Sequence, residues 1–206
     1  MYLAEAAAIL ILELALAGTP GVQESLRARA QANGGFAEDR LFSEYGVTTI
    51  QDLVRESRVI VYGRIADTQA HLNAAETQVV TDYTVTPIRL VKSDQVLAQS
   101  GLPGRTVSLT VRRRGGTVVD GPLQMRTADD AYTDGEPERG AEVVLFLGYD
   151  ANQKIFYSCG GPFGVFVVRE GNVEAISKEV GARRADVPMP VSQFLADLTD
   201  KLLKAK

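Results

Sequence analysis

Between Arg58 and Ile176 the chain is a succession of short β-type segments punctuated by glycine and proline turns, which confines it to a mainly β fold. Val59, Val61 and Ile65 share one face of the first strand, and Gly63 lies among them where a bulge or a close backbone approach fits. The second strand runs from Gln78 to Lys92, and its apolar phase changes from Tyr83 and Val85 to Ile88 and Leu90 across Pro87. A slip of one residue at a proline predicts a bulge or bend, the device by which a strand wraps around a small barrel. In the third strand Val107, Leu109 and Val111 alternate with Thr106, Ser108 and Thr110, giving one buried and one wet face. Glu142 to Tyr149 is apolar on both faces and is placed at the centre of the structure. Hairpins through Ile155 to Cys159, Phe163 to Val168 and Val173 to Ile176 follow.

Helices flank this core. Thr48, with Gln51 three residues later, predicts a capped helix carrying Ile50, Leu53 and Val54 on one stripe. Phe194, Leu195, Leu198 and Leu202 form the apolar stripe of a terminal helix, with Ser192 as its expected N-cap. Upstream, Val22 to Ala37 reads as a surface helix or linker. The expected organisation is therefore an apolar N-terminal segment and linker over 1–47, then a β-barrel domain with its C-terminal helix over 48–206.

With 206 residues, 45% of them hydrophobic, one such domain can bury its own core. A formal charge of -4 gives no overall attraction to polyanions, so nucleic acid is an unfavoured partner unless a local basic patch supplies the charge. A single cysteine, Cys159, leaves no internal disulfide, CxxC pair or cysteine-rich zinc site, and no cofactor is expected. The run from Ala6 to Ala17 ends in a small-x-small pattern like a signal-peptidase site, but Glu5 and Glu13 stand where a signal peptide wants a cation and an unbroken apolar stretch. Export to the periplasm or cell surface and a hydrophobic helix packed in a cytoplasmic protein both fit it. At about 18 Å the run is too short for a comfortable transmembrane span.

The stretches Asp52 to Ile65, Thr81 to Val85, Leu90 to Lys92, Gly140 to Leu147 ("Gly-Ala-Glu-Val-Val-Leu-Phe-Leu") and Gly160 to Phe166 ("Gly-Gly-Pro-Phe-Gly-Val-Phe") carry a family likeness. In that order they resemble a group of uncharacterised bacterial, usually exported, proteins, whose layout is similar to the OB-type barrel of netrin modules and tissue inhibitors of metalloproteinases. The resemblance implies a small antiparallel OB-like barrel of about five to seven strands with flanking helices. It does not carry the inhibitors' mechanism, which needs an N-terminal cysteine amine on the target's zinc; here no cysteine precedes Cys159.

Several residue groups bear on chemistry. Arg112, Arg113 and Arg114 form the basic cluster, and with Tyr83 or Tyr62 as stacking residues they would suit single-stranded nucleic acid on a barrel face; a charged strand edge is the plainer reading. Cys159 and His71 form the chain's lone thiol–imidazole combination, with nothing in the sequence placing them together. The segment Gly115 to Gly140 reads as a long polar surface loop. Within it Asp129, Asp130 and Asp134 are weak calcium candidates, since Tyr132 and Ala141 occupy positions where the calcium-loop template requires ligands. Asp129, Asp130 and Glu136 are the carboxylates a hydrolase would use, with or without metal. The favoured expectation is a non-catalytic binding or interaction module of the bacterial envelope, its protein or other ligand unspecified.

Overall fold

The computed structural model describes residues 24–41, 49–93, 108–129, 132, 136–176 and 188–204. The expectations for Ala6 to Ala17, Thr106, Val107, Asp130 and Asp134 lie outside them.

The described residues are mainly β: eleven strands in two sheets, with three α-helices. In chain order they are α1 (Leu26–Ala32), β1 (Phe36–Leu41), α2 (Ile50–Glu56), β2 (Val59–Leu72), β3 (Val79–Lys92), β4 (Leu109–Arg114), β5 (Gly116–Asp120) and β6 (Leu123–Asp129). There follow β7 (Glu142–Asp150), β8 (Ile155–Ser158), β9 (Val165–Arg169), β10 (Asn172–Ala175), β11 (Met189–Pro190) and α3 (Val191–Lys204). The larger sheet has the order β11-β10-β9-β7-β2-β3-β4-β8, and β8 also pairs with β7. The pairings thus run β7–β2–β3–β4–β8 and return to β7; β4–β8 is parallel and the others in this circuit are antiparallel.

The phase change at Pro87 corresponds to a bulge. Tyr62 pairs with Arg89 and Gly63 with Pro87, so Ile88 has no opposite residue; Val91 and, on β2, Ala66 are passed over in the same way. Three irregularities in one long hairpin supply the twist it needs to curve. Gly63 is obligatory at this point, since a Cβ there would lie 2.8 Å from the Thr86 carbonyl oxygen. Before the bulge Tyr83 and Val85 are buried; beyond it Ile88 and Leu90 are about half exposed.

β7 is the central strand, as its sequence predicts. Val143, Leu145 and Leu147 join Val61, Ile65, Val85 and Val111 in the core enclosed by the circuit. Val144 and Phe146 face the other way, into a core formed with α2 and α3 by Leu53, Val54, Phe166, Phe194 and Leu198. Leu195 is buried and Leu202 partly so, so the apolar stripe of α3 faces the body. Both helix starts differ from expectation, the first by one residue and the second by two. Thr49 caps α2, accepting from the Asp52 amide while donating to the Asp52 carboxylate at 2.6 Å. α3 begins at Val191 because the Gly171 carbonyl takes up that residue's N–H, leaving Ser192 inside the helix.

The largest departure concerns residues read as linker and loop. Gly116–Asp120 and Leu123–Asp129 form a hairpin, and β1 adds to β6 in parallel, making a three-stranded sheet of order β1-β6-β5. Two of their apolar residues anchor the sheet: Met125 and Ala37, together with Val79 of β3, pack with Leu26 and Ala30 of α1. Arg27 of α1 binds Asp120 at 2.5 Å and Glu76 at 3.2 Å, tying the helix to two turns. Residues 24–41 are therefore built into the folded body.

Candidate functional site

β4 alternates buried and open positions, and the arginine cluster obeys that alternation. Leu109, Val111 and Arg113 face inward, whereas Arg112 and Arg114 face out. An arginine thus occupies the last core-facing position before Gly115 and Gly116, whose positive φ values of 95° and 132° turn the chain into the smaller sheet. Gly116 also admits no side chain, because Thr81 Oγ1 lies 2.4 Å from where its Cβ would be. Two bonds lock this crossing: Thr81 donates to the Gly115 carbonyl at 2.7 Å, and the Val79 amide donates to Thr127 Oγ1 at 2.8 Å.

The Arg113 side chain is 7% exposed. Its Nε donates to Tyr83 Oη at 3.2 Å, its guanidinium lies 4.5 Å from the centre of the Tyr132 ring, and it forms an ion pair with Glu136. Burial opposes the charge, but Tyr83, Glu136 and Tyr132 outweigh it and raise the Arg113 pKa further, so the group is a permanent cation. Burial is also the main cause that pushes the Tyr83 hydroxyl above its usual range.

This group forms one wall of an open cavity of about 300 Å³ between the two sheets. Gly116 and Thr117 of β5, Arg126 to Asp129 of β6, and Tyr132 and Glu136 line the rest. Asp129 and Glu136, two of the carboxylates picked out in the sequence, therefore converge on one concavity, together with Arg113. His71 and Cys159 take no part in it. Among the described residues no group of three His, Cys, Asp or Glu is placed to hold a metal ion.

Arg112 belongs to a second cluster, on the outer face. It clamps Asp82 through Nε and Nη2, both at 2.7 Å, and reaches Gln153 at 3.1 Å. His71 Nδ1 lies 2.9 Å from the Leu72 carbonyl, and its Nε2 lies 3.1 Å from Asp82 and 3.3 Å from Arg112. Burial alone would raise the Asp82 carboxyl, but hydrogen bonds and charge from Arg112 and His71 hold it below the ordinary carboxylate range. A depressed folded-state pKa stabilises the fold above about pH 4 and loses that contribution as pH falls through the lower folded value. Asp82→Asn should therefore cost about 1 to 3 kcal/mol at pH 7, and the gap from the parent protein should narrow in acid, as read by urea unfolding at a series of pH values.

The structure separates the residues grouped in sequence. Tyr83 is buried with its hydroxyl engaged by Arg113, Arg112 is clamped to Asp82, and Arg114 alone of the three arginines lies on the exposed edge. Tyr62 donates to Glu142, which raises its hydroxyl to about 12. Cys159 packs with Phe146 and Phe166 at the α3 side; burial is the main cause pushing its thiol up to about 11. Arg126 was missed in the sequence, although its alternation with Met125 and Thr127 on β6 was the available signal.

No family model and no curated protein matches this chain.

Proposed function

We propose that this protein is a non-catalytic binding module of the bacterial envelope and that its ligand seats in the Arg113 cavity. The observation that carries this reading is a polar concavity built on a buried, fixed cation, without an imidazole or thiol lining it among the described residues. Rigid placement of a charge with open access is what recognition requires. We further read the β7–β2–β3–β4–β8 circuit, with its parallel β4–β8 pair, as an OB-like barrel of the kind found in netrin modules and the metalloproteinase inhibitors. That likeness bears on fold and carries no function across. An envelope location rests on the family resemblance and the N-terminal apolar run; separately, no helix among the described residues is long and apolar enough to cross a membrane.

Convergence of Asp129 and Glu136 on the cavity favours one alternative, a carboxylate-dependent hydrolase. Glu136, however, is already engaged as the counter-ion to Arg113. Single-stranded nucleic acid is a weaker alternative, since Arg112, Arg113 and Tyr83 are occupied within the fold.

Ala128→Trp tests the proposal by filling the cavity. Protein recovered from its native envelope fraction should carry a bound species in native mass spectrometry, and the variant should lose it while keeping its circular dichroism. Retention of the same species by the variant, or hydrolytic turnover abolished by Asp129→Asn, would contradict it.

A further inference from the structure

The geometry points to the class of ligand: we infer that the cavity is a site for an oxyanion, a carboxylate or phosphodiester group, and that Glu136 fills its place in the free protein. The inference rests on the binding reading above.

The pair that defines the site is asymmetric. Arg113 is 7% exposed and held in plane by Tyr83 and Tyr132, whereas the Glu136 side chain is 47% exposed. The cation is fixed and the anion can exchange. Exchange avoids the cost of stripping a buried charge of its partner, because an incoming oxyanion replaces one carboxylate with another acceptor. Nη2 of Arg113 meets the Glu136 carboxylate, and that is the position an incoming oxyanion would take over. An oxyanion that could align with the guanidinium edge would gain the paired bonds Arg favours.

The rest of the wall supports the same chemistry. Arg126 supplies a second guanidinium, about half exposed and held by Glu38 only loosely, at 3.6 Å. Thr127 Oγ1 accepts from the Val79 amide, so its hydroxyl proton remains to be donated. Arg113 and Arg126 thus bring two guanidinium groups to the same concavity, an arrangement that suits an oxyanion.

The test uses acetate and dimethyl phosphate as probes, titrated at constant ionic strength and followed by amide chemical shifts. Glu136→Gln should bind the preferred probe at least tenfold tighter than the parent protein, with shifts centred on Thr117, Arg126 and Ala128. Adding Arg126→Gln should remove most of that gain. Both side chains are about half exposed, so these variants keep the fold where Arg113→Gln would endanger it. Whichever probe binds tighter identifies the group as carboxylate or phosphodiester. Equal affinity in the parent and Glu136→Gln, or shifts spread evenly over the surface, would overturn the inference. Should Ala128→Trp still abolish capture of the native species, the binding reading stands and only the oxyanion assignment falls.

Discussion

Gly164→Ala should destabilise the protein by about 3 kcal/mol or more, beyond the usual range for an added core methylene. A Cβ at this position would lie 2.2 Å from the Cys159 carbonyl oxygen and 2.7 Å from Ser158 Oγ. The first is backbone, fixed by the Cys159 amide's bond to the Phe146 carbonyl at 2.8 Å, so it cannot move without breaking the end of β8. Gly148→Ala is the control. There the added Cβ would meet the Tyr157 ring at 2.4 Å, but that side chain is 47% exposed and can swing into solvent. The nominal overlaps are alike, and the costs should differ because one neighbour is main chain and the other a side chain on the surface. Thermal unfolding should show a fall of roughly 6 to 12 °C for Gly164→Ala and a change about a quarter as large, or less, for Gly148→Ala.

Phe194→Ala should cost about 3 to 5 kcal/mol, the range for emptying a buried aromatic site. Phe194 is 1% exposed, and its ring centre lies 5.2 Å from that of Phe166. Phe166 in turn contacts Phe146 at 5.7 Å, so one truncation loosens the packing between α3 and the central strands. Against a typical total of about 5 to 15 kcal/mol this is a large share. Phe194→Leu should recover most of it, while Leu203→Ala, at a position 65% exposed, should change the urea midpoint little. Equal losses for Phe194→Ala and Leu203→Ala would show that α3 does not pack as described.

What could be read from the chain followed from how strongly each segment's periodicity was tied to burial. β7 was legible because Val143 to Leu147 is apolar on both faces, and only a central strand satisfies that. The stripe of α3 and the slip at Pro87 were legible for the same kind of reason. The smaller sheet was not: Gly116–Asp120 carries Val118 half-buried and Val119 exposed, so its alternation is faint, and β1, which pairs with β6, comes from far upstream in the chain, Phe36 standing opposite Gln124. Parallel pairing over such a distance leaves no local signal. The site shows the same division. Arg112, Arg113 and Arg114 were conspicuous as a charge cluster, but their roles follow from strand parity, which sends Arg113 inward beside Leu109 and Val111. Asp82, His71 and Gln153 gather around Arg112 from separate strands and a turn, and no spacing along the chain announces that meeting.

On the binding reading, recognition takes place at the Arg113 cavity and not elsewhere on the surface. Photo-crosslinking in the native cells tests it most directly, with a benzophenone amino acid placed singly at Thr117 on the cavity wall, at Gln153 on the outer polar cluster, and at Ile88 on the bulge. A discrete adduct is expected from position 117 that Ala128→Trp removes, and none from 153 or 88. An adduct from 153 or 88 with none from 117 would contradict it.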